Sequence, residues 1–235
     1  NYNIGGLPSG TYRVEFRDNS GLYAFKFYHN KLSLDSAEDI FLNTGQTASN
    51  INASLDTASH IQGVVTAPDG STPLQNIQVN ARIWDPTNSS WNWGGSATTD
   101  INGNYNIGGL PSGTYRVEFR DDSGLYAFEH YNNKLSLDSA EDITVNTGEN
   151  KNLNNTSLDT ASHIQGVVTT SEDTTPLQSI QVSAYIFDTN NSLWSWANSV
   201  ATDINGNYNI GGLPSGTYRI SFRDNSGQYV NEYHD

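Results

Sequence analysis

The sequence has no cysteine and no methionine, and it sets only 11 lysines and arginines against 25 aspartates and glutamates in 235 residues. Without cysteine there is no disulfide, so packing and hydrogen bonding must carry the fold; the compartment stays open on this ground. A net charge of −14 repels phosphates, which argues against nucleic acid and against anionic membrane surfaces as partners. The same acidity suits solubility and the collection of hard divalent cations. Apolar runs are short: none approaches the ~20 residues a membrane-spanning helix needs, so no membrane insertion is expected in this segment, and no charged-then-apolar signal segment appears. Enzyme signatures are missing too. There is no cysteine nucleophile, no G-x-S-x-G elbow, no phosphate loop and no H-E-x-x-H pair. The histidines, His29, His60, His130, His163 and His234, lack metal-ligand spacing. The chain reads as a non-enzyme.

What is present is a repeat. "NYNIGGLPSGTYR" begins at Asn1, Asn104 and Asn207, two steps of 103 residues, and "SLDTASHIQGVVT" begins at Ser54 and Ser157 with the same step. An unchanged period without slippage marks duplication of one structural unit of ordinary domain size. Residues 60–162 make one whole repeat, residues 1–59 the C-terminal part of one, and residues 163–235 the N-terminal part of another. On this reading the chain is an excerpt from a longer array. Residues 163–235 lack the positions that correspond to 30–59, and the expectation is that continuity along the array supplies them.

Within the repeat the signal is β throughout. "IQVNARI" alternates Ile77, Val79, Ala81 and Ile83 against Gln78, Asn80 and Arg82; "TYRVEFR" alternates Tyr115, Val117 and Phe119 against Arg116, Glu118 and Arg120. Such period-two alternation marks half-buried strands. "HIQGVVT" and "DITVNT" are shorter runs of the same kind, and turn clusters such as "APDGSTP", "DINGN", "GGLPSG" and "NTGEN" separate them. No helical stripe appears; "LDSAED" offers one turn at most, with Asp138 as cap and Glu141 three residues on. Short strands with a turn every ten residues or so predict an all-β, two-sheet sandwich. Its expected core is Ile61, Val65, Ile77, Val79, Ile83, Tyr105, Ile107, Leu110, Tyr115, Val117, Phe119, Ile143 and Val145.

The run "GVV…PLQNIQVNA…TTDINGNYNIGGLPSGTYRVEF" resembles the carboxypeptidase regulatory-like domain. It is similar as well to the B-type modules of collagen adhesins and serine-aspartate-repeat proteins on bacterial surfaces. The resemblance covers most of each repeat and implies tandem seven-stranded, prealbumin-like (Ig-like) β-sandwich repeats used as stalk or spacer. Fold likeness alone assigns no ligand. B-type modules often carry a self-formed amide from a lysine on the first strand. Here that strand, "HIQGVVT", has none, and the lysines are Lys26, Lys31, Lys134 and Lys151. That departure puts such a crosslink in doubt.

Two features carry candidate chemistry. Asp100, Asn102 and Asn104, copied as Asp203, Asn205 and Asn207, offer side-chain oxygens at alternate positions of a tight loop, as a hard cation such as Ca²⁺ requires. The loop is no EF-hand, since its Gly103 comes fourth and Pro111 stands where the final glutamate would be. Its other reading is a plain hairpin whose Asn-Gly supplies positive φ. Asp18, Asp121, Asp122 and Asp224, with Asp56 and Asp159, are secondary carboxylates if they gather at the same end. Trp91 and Trp93, copied as Trp194 and Trp196, share one strand face because they are two apart. They read as cover for a sheet edge, as a self-contact or protein-binding surface, or as a platform for carbohydrate. Sequons at Asn52, Asn88, Asn154, Asn155 and Asn190 reflect the abundance of Asn, Ser and Thr.

Together these readings predict a structural repeat of an extracellular or cell-surface stalk or fibre. Length would scale with copy number, and contacts with neighbouring repeats would set stiffness. The alternative is an adhesin module that binds carbohydrate or a surface protein through its tryptophans.

Overall fold

The computed structural model describes residues 1–172 and 174–234. Strands dominate, and the one helical element among the described residues is the 3₁₀ turn Tyr28–Asn30. In the central repeat, Gln78–Asp85 lies between Ser90–Thr98 and Gly113–Arg120, both antiparallel to it. Glu129–His130 and Ile143–Val145 run in line along the free edge of Gly113–Arg120. The second sheet is built on Ser59–Thr66, paired antiparallel with Asn104–Leu110 on one side. On its other side Asn150–Asn152 and Thr156–Ser157 run parallel to it, again in line. These are the five- and four-stranded sheets of one sandwich. Each of the two interrupted edges occupies a single strand position, which gives the expected seven-position layout.

The alternation read from the sequence sets the register. Val79, Ala81 and Ile83 meet Phe119, Val117 and Tyr115 across the sheet, and all six are 0% exposed. Every residue expected in the core is buried, the least so at 4% exposure. At roughly 1.5–3 kcal/mol for each large apolar side chain removed from water, this cluster dominates the stability of the repeat. Gly63 shows how closely it packs: a Cβ there would meet the Tyr105 hydroxyl at 2.8 Å, so the absence of a side chain lets the Tyr105 ring cross the strand.

The C-terminal unit repeats the layout. Gln181–Asp188 pairs with Leu193–Ala201 and Tyr218–Arg223, and Ser162–Val167 pairs with Asn207–Leu213. The N-terminal unit holds two small pairings, Gly10–Tyr12 with Ile40–Leu42 and Glu15–Phe16 with Lys26–Phe27. Tyr2, Ile4 and Leu7 are 54%, 58% and 42% exposed, whereas their copies Tyr105, Ile107 and Leu110 are 4%, 0% and 0% exposed. The strands that cover these positions in the central repeat have no counterpart in residues 1–58.

One local expectation is corrected. The turn in "LSLDSAED" is capped by Ser136, whose Oγ accepts the Ser139 N–H at 3.2 Å, and not by Asp138. Glu141 accepts from Asn132 Nδ2 instead of closing a capping box. A serine hydroxyl two positions earlier reaches the turn N–H better than the aspartate, and its proton is wanted elsewhere.

Candidate functional site

The repeats do not meet through a loose linker. In the central repeat, strand Gln78–Asp85 and strand Asn104–Leu110 both end at the pole where Ser59 enters. The segment of the preceding unit between its paired strands, about residues 18–39, folds over that pole. Phe25 N–H donates to Gly109 O at 3.1 Å, and Phe25 is 2% exposed. Leu32 packs against the central core. One period on, Phe128 N–H donates to Gly212 O at 3.0 Å; Phe128 lies within the C-terminal core cluster, with Leu135 packed against it. The chain between units is itself paired. Ala24 N–H donates to Asp56 O at 3.0 Å and Ala58 N–H to Leu22 O at 2.9 Å, while Ala127 to Asp159 O and Ala161 to Leu125 O are both 2.9 Å.

At the centre of each junction sits a buried serine–aspartate pair. Ser33 Oγ donates to Asp85 Oδ2 at 2.6 Å, and Ser136 Oγ donates to Asp188 Oδ2 at 2.5 Å. The four residues are 3%, 1%, 4% and 0% exposed. The other carboxylate oxygen serves the aspartate's own turn, accepting from Thr87 N–H in one junction and Asn190 N–H in the next, both at 2.9 Å. Burial pushes both carboxyls up. The hydrogen bonds from Ser33 and Ser36, and from Ser136 and Ser139, outweigh it, so both stay below the ordinary carboxylate value.

The junction straps differ in charge at two positions, Asn19 against Asp122 and Lys26 against Glu129. Lys26 Nζ lies 2.8 Å from Asp56 Oδ2 in the first. The corresponding residue of the second is Glu129, which faces Asp159; burial first, and that like charge second, push its carboxyl up to about 7. Its Oε1 is buried without a hydrogen-bond partner. An open cavity of about 410 Å³ at this junction is lined from both units, by Arg120, Asp122, Phe128, His163 and Asn198 among others.

Of the residues singled out from sequence, Asp56, Asp159 and Asp122 belong to the junctions; the Asp100 and Asp203 loops take no part in the contacts above. Asp100 Oδ1 accepts the N–H groups of Asn102 at 2.8 Å and Asn104 at 2.9 Å, and Asp203 does the same for Asn205 and Asn207, both at 2.8 Å. Hydrogen bonds from Asn104, backbone first, hold Asp100 below the ordinary carboxylate value; the side chain and then the backbone of Asn207 do so for Asp203. Asn104 and Asn207 turn their Nδ2 groups toward these carboxylates. The loop is thus a hairpin turn closed by its own aspartate, with Gly103 at φ 75°. Asp121 lies at the same pole, but its oxygens accept from Ser123, Leu125 and Tyr126. Among the described residues no group of three or more His, Asp or Glu is disposed to hold a metal ion.

The tryptophans do share an outer face. Trp91 stands beside Trp84, ring centroids 5.3 Å apart, and the Arg116 guanidinium lies 4.4 Å over its ring. Trp194 repeats this with Phe187 at 5.2 Å and Arg219 at 4.4 Å. Trp93 and Trp196 are 46% and 51% exposed. Arg82 reaches Trp93 at 5.5 Å within its own repeat, whereas Arg120 reaches Trp196 at 5.4 Å across the junction. Sequence reasoning missed the serine–aspartate pairs, although their recurrence one period apart was visible.

Residues 60–158 match the family model of the carboxypeptidase regulatory-like domain, so the resemblance carried by the repeat motifs holds for this stretch. No curated protein matches the chain. Among solved structures, the chain is similar to a streptococcal ancillary pilin at 14% identity, over 97% of this chain and 72% of that one, with a TM-score of 0.31. The Bacillus anthracis TIE protein matches at 14% identity over 98% of this chain and 39% of that one, TM-score 0.34. The shaft pilin SpaA of Lactobacillus rhamnosus GG matches at 11% identity over 75% and 92%, TM-score 0.30.

Proposed function

We propose that this chain is a structural segment of an extracellular or cell-surface stalk or fibre, in which sandwich repeats supply length and their junctions supply stiffness. The observation that carries the reading is the recurrence of one contact set at two junctions: strap, paired linker and buried serine–aspartate bond. A protein selected for catalysis has no need to fix the relation of successive sandwiches in this way, whereas a rod does. The partners are then neighbouring repeats or copies along the fibre. Calcium at the Asp100 and Asp203 loops is the finer part of the proposal, supported by donor type and by the acidity of the chain. Electron microscopy of the native material, with labelling by antibody against residues 60–162, tests the main reading. Straight surface filaments decorated along their length are expected; label confined to soluble, compact particles would refute it.

A second reading, an adhesin module for carbohydrate or a surface protein, is favoured by the half-exposed rings of Trp93 and Trp196. It predicts that Trp93→Ala abolishes retention on a glycan or host-protein array without lowering the melting temperature.

A further inference from the structure

The strap that crosses each junction is recognised by a built receptor at the pole of the next sandwich. Its receptor face consists of an apolar well, a backbone acceptor and a buried carboxylate. The apolar well takes Phe128 and Leu135. The acceptor is Gly212 O, and the carboxylate is Asp188. Asp188 is fully buried and divides its two oxygens, one to its own turn at Asn190 and one to Ser136 of the preceding unit. Ser136 is saturated in turn, accepting from Ser139 N–H at 3.2 Å and from Asn191 Nδ2 at 3.5 Å. The arrangement recurs as Ser33, Ser36, Asp85 and Asn88.

We infer that Asp188 and Asp85 are positioning residues that lock each repeat to the one before it, and that the partner this pole recognises is a Ser-x-x-Ser strap of another copy of the same repeat. The physical reason is the cost of leaving the pair unmade. An ionised carboxylate withdrawn from water must keep all its donors, and only a strap that presents the hydroxyl at this place provides the last one. Hydrophobic contacts alone would tolerate sliding; the charge-assisted bond does not, because it is short and directional. The lock therefore fixes register and angle and makes adjacent repeats one cooperative unit. This inference rests on the stalk reading for its purpose but not for its geometry.

The absence of cysteine in the chain allows a clean test. Ile101 and Ile204, 71% and 73% exposed at corresponding turns, are replaced by cysteine in the full chain and spin-labelled. The distance distribution between them is then read by pulsed electron resonance. One narrow distribution is expected for the otherwise unaltered chain. S136A, which leaves the Asp188–Asn190 bond intact and so preserves the C-terminal fold, should broaden it at least about twofold, as should D188A. S136T, which restores the hydroxyl, should recover the narrow form. The double variant S136A/D188A should broaden it by less than the two single variants added together, because they share the loss of one bond. An unchanged width in S136A, or broadening that adds in the double variant, overturns the lock. A broad distribution in the unaltered chain overturns it as well. Filaments seen by microscopy would still support the stalk reading in any of these cases, so the two proposals fail separately.

Discussion

Replacing Glu129 should stabilise the second junction in a pH-dependent way. Glu129 stands where Lys26 makes its 2.8 Å ion pair with Asp56 in the first junction. Instead of an opposite charge it meets Asp159, and its carboxyl is pushed up from an ordinary 4.5 to about 7, by burial first and Asp159 second. Nearby charges do not rescue it: Glu118 and Arg120 on the adjoining strand pair with each other at 2.9 Å, and burial pushes the His130 imidazole down toward the neutral form. The folded state therefore holds the Glu129 proton to a higher pH than the unfolded chain does. Stability is intact below about pH 4.5, where both states are protonated, and falls as the pH rises toward 7. At about 1.4 kcal/mol per pH unit, a rise from 4.5 to about 7 sets a ceiling of about 3.5 kcal/mol; partial contact with solvent reduces this to about 1–2 kcal/mol. Glu129→Gln removes the penalty, and Glu129→Lys also offers Asp159 the partner that Lys26 gives Asp56. Thermal unfolding followed by near-UV circular dichroism at pH 4 and pH 8 measures it. Glu129→Gln should raise the melting temperature by about 3–6 °C at pH 8 and leave it unchanged at pH 4. Equal shifts at both pH values, or none at pH 8, would refute the reasoning.

Tyr115 donates its hydroxyl to Pro111 O at 2.6 Å from a fully buried position, so Tyr115→Phe strands that carbonyl and should cost about 1–3 kcal/mol in urea unfolding; a loss under about 0.5 kcal/mol would show the bond to be incidental. Gly103 turns the hairpin at φ 75° with Val65 O and Pro73 packed behind it. Gly103→Ala should therefore cost about 2 kcal/mol or more, against little for the exposed Ile101→Ala. For the calcium proposal, millimolar Ca²⁺ should raise the melting temperature, and D100N/D203N should abolish the rise. Identical calorimetric traces with calcium and with chelator would remove the metal from the account.

Strand faces and the repeat are matters of local pattern. Alternation along Gln78–Asp85 and Gly113–Arg120 reports which side chains leave water, because successive residues in a strand point to opposite faces whatever the strand pairs with. The core was legible on that account, down to Tyr115 and Phe119. The tryptophan pairs were legible in the same limited way. Their common face follows from spacing, but the guanidinium of Arg116 over Trp91, and of Arg120 over Trp196 across the junction, depends on which strands and units become neighbours. The serine–aspartate pairs lay beyond the pattern altogether. A serine ahead of a turn and an aspartate at a strand end each have a sufficient local explanation, and 52 residues separate Ser136 from Asp188. The exchange of Lys26 for Glu129 was written in the sequence as a mismatch between copies, yet its meaning came from Asp159 standing opposite. Period and alternation fix what each residue offers. Only the docking of one sandwich on the next decides which buried charge finds its donor, because that choice is made between residues that share no local backbone.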